Sequence, residues 1–254
     1  MMDYNLLADT AMLAGEIMLC SGAETYRVED TMYHILKTSN IECTQVIALM
    51  TGIVVTLNDK SMEQPVTLMR RVNERSTNIS NIVKVNDISR RYCAGKITLE
   101  EAYGELKRAK GKQYKRLVYN LATIGIAVGF VMMFGGSIFD VVAAAIVGAI
   151  LACIITLGKV AKINGVLANV LSGLGIAILT VVVKRFLLPD ITTDIVIVSA
   201  IMPIVPGVAI TNAIRDTLQG DYLSGGARIL EALLVAMAIA VGAGLGMLLI
   251  GGVL

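Results

Sequence analysis

The sequence predicts a multi-pass α-helical membrane protein: five transmembrane helices, the fourth broken at Pro-x-x-Pro-Gly, with an N-terminal cytosolic α/β domain of order αα-βββ-αα. Three observations predict it. The 254 residues are 56% hydrophobic and their mean hydropathy is +0.73, too apolar for a soluble domain of that length. Charge is uneven, residues 1–116 holding 16 of the 22 Lys+Arg and 14 of the 20 Asp+Glu. Beyond Arg116 lie five apolar segments bounded by charge, Pro or Gly, each near or above the ~20 residues that a spanning helix needs. The expected division is therefore a cytosolic α/β domain over 1–116 and a five-helix transmembrane domain over 117–254, meeting at "KRAKGKQYKR".

In the first part, "LLADTAMLAGEIMLCSG" has helical composition and a Ser-Gly stop, and "AETYRVEDTMYHILKTSN" restarts a helix that ends near Asn40. Two runs rich in β-branched residues, "CTQVIALM" and "IVVTLND", flank Thr51-Gly52, and "PVTLMRRV" adds a third strand. "NISNIVKVNDISRRYCAG" closes as a helix on Gly95, and "TLEEAYGELKRAK" opens with Thr98 at capping-box spacing from Glu101.

The five spans are read at Leu117–Phe134, Val141–Leu157, Gly165–Val183, Thr193–Leu218 and Arg228–Val253. Lys107, Arg108, Lys110, Lys112, Lys115 and Arg116 precede the first, and Lys159 and Lys162 separate the second from the third. That bias places the N-terminus in the cytosol and the C-terminus outside, with Lys184 and Arg185 as an exception. The start, "MMDYNLLADTAML", has acids where a secretory signal carries a basic region. Small residues recur at four-residue spacing at Gly125 and Gly129, Ala144 and Gly148, Asn169 and Gly173, and Ala238, Gly242 and Gly246, a pattern that lets helix backbones approach closely.

A net charge of +2 gives no case for nucleic acid. Cys20, Cys43, Cys93 and Cys153 are scattered without CxxC or Cys/His pairing, so neither a disulfide framework nor a metal site is expected. No phosphate loop and no nucleophile elbow occur, which argues against a primary pump, a cofactor or an enzyme.

Three stretches, "GAETYRVEDTM", "TLEEAYGELKRAK" and "PIVPGVAITNAIRDTLQGDYLSGGARILEAL", resemble the threonine/serine exporter family of bacterial inner membranes. The likeness covers essentially the whole chain. It is closest to the stand-alone five-span subunit of the split type, in which a separate short membrane protein completes a succinate exporter. The resemblance implies a secondary transporter subunit exporting small carboxylate-bearing metabolites, threonine/serine-type amino acids first and dicarboxylates second. Because family members often carry ten spans, it also implies a short membrane partner or self-association, two odd-span halves forming an inverted repeat. A non-transporting regulatory subunit and a membrane-anchored hydrolase are the competing classes.

The candidate residues follow from the interrupted fourth span. Pro203 and Pro206-Gly207 should unwind it, about 10 residues or roughly 15 Å of helical rise from Thr193, near the middle of a ~30 Å core. The half-helix after the break points unpaired N–H groups and its positive dipole end into the interior. Pro206, Gly207, Val208 and Ala209 are expected to receive a substrate carboxylate there, with Thr211 and Asn212 offering side-chain hydrogen bonds; the competing reading is a kink that only shapes packing. Arg215 and Asp216, about 12 Å further along, are expected with Arg228 and Glu231 to form a gate or coupling group, or else a static ion-pair cluster. Arg228 and Glu231 are spaced to pair on one helix face. Asn120, Asn169 and Ser172 are read as interhelical hydrogen-bonding positions before substrate contacts, and Asp140 and Asp194 as markers of the outer boundary. In the N-terminal part Glu24, Arg27, Asp30 and His34 share a helical neighbourhood, read as a salt-bridged face or a cytosolic vestibule.

Overall fold

Apolar periodicity, caps and turn glycines decide where each element starts and stops. The computed structural model describes residues 3–41, 43–60, 64–73, 75–109 and 114–251. Residues 110–113, where the sequence places the domain junction, and 252–254, at the end of the fifth expected span, lie outside them. The chain divides into two compact units, residues 1–113 with 207–230, and residues 114–206 with 231–254.

In the first unit, α1 (Tyr4–Cys20) is capped by Asp3, whose carboxylate accepts from the N–H groups of Asn5 and Leu6 at 3.0 Å each. It is buried over most of its circumference, and this makes it the central helix of the unit. Gly15 permits this, because a Cβ there would run into the Met32 side chain and lie 3.2 Å from Ile53. Gly22, at φ +81°, turns the chain into α2 (Thr25–Lys37). A three-stranded antiparallel sheet follows in the order β1 (Cys43–Leu49), β2 (Gly52–Asn58), β3 (Val66–Arg71). Ile53, Val55 and Leu57 alternate into the core from β2. The third helix, α3 (Ile79–Cys93), is capped by Asn78. The fourth, α4 (Leu99–Ala109), opens with the expected box: Thr98 N–H donates to Glu101 at 2.8 Å and Glu101 N–H to the Thr98 hydroxyl at 3.2 Å. Leu7, Met18, Met32, Leu36, Ile53 and Leu106 are fully buried together. Late in the chain, α9 (Gly207–Leu218) and the first residues of α10 (Tyr222–Gly251) also belong to this unit.

The second unit contains α5 (Arg116–Met133), α6 (Ile138–Val160), α7 (Gly165–Phe186), α8 (Thr193–Ile201) with a 3-10 turn over Met202–Ile204, and the remainder of α10. Among the described residues four helices are long and apolar enough to cross a membrane, five if the broken pair α8 and α9 counts as one span. Ser137 and Asp140 form a capping box on α6, and the buried Asp140 carboxylate also accepts from Thr192 N–H at 2.6 Å, tying the entry of α8 to the start of α6. The expected small-residue stripes divide by function. A Cβ at Gly173 would run into the Ile239 carbonyl, and one at Gly242 into that of Val170, so α7 and α10 touch backbone to backbone there. Gly125 and Gly129 face open space instead.

Candidate functional site

Leaving α1, the chain turns so tightly that its backbone groups must find partners outside their own helices. Ser21 and Ala23 N–H close back on α1, but the carbonyls of Gly22 and Ala23 and the first N–H of α2 point outward. No side chain of the turn caps α2, and buried backbone groups left unpaired would be costly.

Side chains from α9 and α10 satisfy all three. Asn212 Nδ2 donates to the Gly22 carbonyl at 2.7 Å, Arg228 Nη2 to the Ala23 carbonyl at 2.7 Å, and Asp216 Oδ1 accepts from Thr25 N–H at 2.9 Å. Asp216 thereby places a negative charge at the positive end of the α2 dipole. Arg228 Nε sits 2.9 Å from Asp216 Oδ2, a buried ion pair whose two facing atoms are close but not aligned for a hydrogen bond. Asp216 is 0% exposed and Arg228 5%. Outside this pair, Arg215 Nη1 donates to Glu24 Oε1 at 2.6 Å, while Arg27 approaches Glu24 only to 3.5 Å.

Local sequence explains the placement. Asn212, Ala213 and Asp216 fall on one buried face of α9 by their spacing of one and four, and Gly220 at φ +94° reverses the chain. A side chain at Gly225 would collide with Thr217 and the Ala213 carbonyl, so only glycine lets α10 start this close to α9.

The charge balance of this clasp is acidic on one side. Glu29, one turn into α2, accepts from Ala48 N–H at 2.7 Å. Burial pushes its carboxyl above the ordinary range; the Ala48 bond opposes this, and the charges of Asp221 and Asp216 add to it. Burial and then Asp216 push Asp221 up as well. For Glu24 burial also pulls upward, but its own backbone N–H and Arg215 outweigh it and hold the carboxyl below its usual value.

Of the residues expected from sequence, the fold brings together Asn212, Arg215, Asp216 and Arg228, and adds Glu24, which sequence reasoning had grouped with the histidine face. Pro206 and Gly207 do mark the helix break, the 3-10 turn ending before Val205 and α9 starting at Gly207. Gly207, Val208 and Thr211 lie on the exposed face of α9 and Ala209 is half-buried; the Thr211 hydroxyl donates to the Gly207 carbonyl at 3.0 Å. Glu231, exposed, follows Arg228 by one turn of α10. In the second unit Asn120 accepts from Thr156 of α6 at 3.3 Å, whereas Ser172 turns back to Ala168 of its own helix and Asn169 is half-buried on α7. The Gly22–Thr25 backbone and Asp221 lie outside the sequence expectations, and the tight Ser-Gly stop before "AETYR" is the sequence signal for that turn. Among the described residues no group of three His, Cys, Asp or Glu is arranged to hold a metal.

Residues 9–250 match the family model described as "Putative threonine/serine exporter". A "Probable threonine/serine exporter" of Mycobacterium tuberculosis is 26% identical over 238 residues, which is 92% of this chain and 44% of that protein. The chain thus spans less than half the length of that relative. No solved structure matches. With a family match across nearly the whole chain and several helices able to cross a membrane, the chain belongs to the threonine/serine exporter family of membrane exporters.

Proposed function

We propose that the chain is a subunit of a secondary exporter that moves small carboxylate-bearing metabolites, threonine and serine first, out across a bacterial inner membrane. In this reading residues 1–116 face the cytosol, the C-terminus is outside, and a short membrane partner or a second copy supplies the remaining spans. The observation that carries it is the interruption before Gly207 within a family match over residues 9–250. A helix that restarts inside an apolar segment offers free N–H groups and a positive dipole end to a carboxylate. Pro206 to Ala209 form that cradle, Thr211 turns its hydroxyl toward the same end of α9, and Asn212 anchors the helix to the Gly22 carbonyl.

Asp216, Arg228, Arg215 and Glu24 act as the gate beside this cradle. They join α9 to the α1–α2 turn through a few charge-assisted bonds, of which the Arg215–Glu24 pair, with Arg215 exposed, is the one open to exchange with a passing anion. Glu231, next along α10, is the reserve coupling carboxylate.

The test is efflux from proteoliposomes loaded with labelled threonine, serine or succinate, with this chain alone and with a short membrane partner added. Threonine or serine efflux is the expected result. Succinate efflux alone would move the assignment to dicarboxylates, and no efflux of any of the three from well-folded samples would overturn the exporter reading for this subunit.

A further inference from the structure

Apart from the clasp, α2 and α3 present polar stripes to one another. Arg27, Asp30, Thr31 and His34 on α2 and Asn86, Ser89, Arg90 and Cys93 on α3 each follow the spacing i, i+3, i+4, i+7, and together they line one cavity of about 320 Å³. Two packed amphipathic helices would ordinarily turn such stripes to water and meet along an apolar seam. Here Thr31 and Ser89 are buried while Asp30, His34, Arg90 and Cys93 are exposed, so the two polar faces meet along a groove open to solvent.

The donors left over in that space have a definite chemistry. Arg90 makes no ion pair among the described residues, and Arg27 has only the 3.5 Å approach to Glu24. Thr31 is nine-tenths buried, lines the cavity, and its hydroxyl has no hydrogen-bond partner among the described residues. Ser89, equally buried, donates to the Asn86 carbonyl at 3.0 Å and keeps its lone pairs to accept. Asp30 is the single carboxylate in the lining, 3.3 Å from His34 Nδ1. Two guanidinium groups suit a carboxylate, one carboxylate beside two hydroxyls suits an ammonium, and the volume is at the small end of ligand cavities, roughly 300–1,000 Å³.

We propose that the α2–α3 cavity is a binding site for a small α-amino acid, separate from the path at α9. Arg27 and Arg90 take the carboxylate, Asp30 the ammonium, and Thr31 and Ser89 the remaining hydrogen bonds. That the ligand is also the exported solute rests on the exporter reading above; the binding itself does not.

Cys93 provides a local readout, since it lines the cavity and its thiol, exposed at the surface, contacts the His34 carbonyl at 3.4 Å. The full chain in nanodiscs is treated with N-ethylmaleimide and alkylation of Cys93 is followed by peptide mass spectrometry, with Cys153 as internal control. L-Threonine or L-serine is expected to slow Cys93 alkylation about tenfold at ~10 times its dissociation constant, without affecting Cys153. Arg90→Gln and Asp30→Asn should each abolish that protection, and Arg90→Lys should keep part of it. Protection by succinate alone would overturn the amino-acid assignment, and equal protection by inorganic phosphate, or none by any solute, would overturn the site. Efflux without protection would sink this inference and leave the exporter reading standing; protection without efflux would do the reverse.

Discussion

The Asp216 carboxylate accepts the Thr25 N–H at 2.9 Å across 191 residues of sequence, and the same carboxylate lies 2.9 Å from Arg228 Nε. One side chain thus caps a helix in the N-terminal part and neutralises the single arginine of α10. The pair is fully enclosed, so each charge depends on the other: removing one partner from a buried pair costs about 3–5 kcal/mol because the survivor is left uncompensated.

Asp216→Asn and Arg228→Gln are therefore each expected to lower stability by about that amount in detergent-solubilised protein. The double variant should lose clearly less than the sum, since the second change removes the charge that the first had stranded. Strict additivity of the three denaturation free energies would show that the two groups do not depend on one another.

Much of this architecture was legible in sequence. The capping box of Thr98 and Glu101, the strand pair around Thr51-Gly52 and the interruption at Pro206-Gly207 are local events, written in adjacent residues, and all three occur as read. The Thr25 N–H as a partner of Asp216 is not legible, because a backbone N–H carries no residue signature and 191 residues separate the two. The sequence places Arg228 in one cluster with Arg215, Asp216 and Glu231, and the fold sets it 2.9 Å from Asp216, which is enclosed at 0% exposure. Glu24 keeps Arg27 of the expected face at 3.5 Å, and its 2.6 Å bond to Arg215 is the contact that the sequence does not display.

The small-residue stripes make a second prediction. Gly242→Ala would drive a methyl group into the Val170 carbonyl, and backbone cannot yield as a flexible side chain can. Overpacking of this kind costs about 1–3 kcal/mol. Gly129→Ala meets nothing within 4 Å, so it should be neutral or stabilising by up to ~1 kcal/mol through helix propensity. Thermal midpoints of the two variants in one detergent decide this; equal midpoints would mean that α7 and α10 have room to part.

The clasp should also give the first unit an unusual pH profile. Glu29 and Asp221 are held above the ordinary carboxylate range by burial and by Asp216, so the stability tied to them is fully present below their unfolded values and is lost as pH rises through their folded ones. Glu24 is held low, and its contribution is present above its unfolded value and is lost as pH falls through its folded one. The sum of these contributions is thus expected to peak near the ordinary carboxylate range, about pH 4, and to fall toward neutrality. Glu29→Gln keeps an oxygen for Ala48 N–H but removes the repelled charge. It should raise stability at neutral pH and flatten the slope; denaturation midpoints over an acid-to-neutral series test this, and an unchanged slope would clear Glu29 of the effect.

The break before α9 yields the prediction closest to function. Proline lacks the N–H that a continuing helix needs and its ring clashes with the preceding turn, whereas a Cβ at Gly207 would meet nothing within 4 Å. Gly207→Ala alone should therefore leave both fold and efflux nearly intact, and Pro206 is the residue that keeps α8 and α9 apart. With Pro206→Ala and Gly207→Ala together, helical hydrogen bonding can run from the 3-10 turn at Met202–Ile204 into α9, consuming the free N–H groups proposed to receive a carboxylate. Efflux from proteoliposomes should then fall to background while expression, insertion and the Asn212 and Asp216 contacts, further along α9, persist. Normal efflux from a correctly inserted double variant would remove the carboxylate cradle from the mechanism and leave the interruption as a device of packing alone.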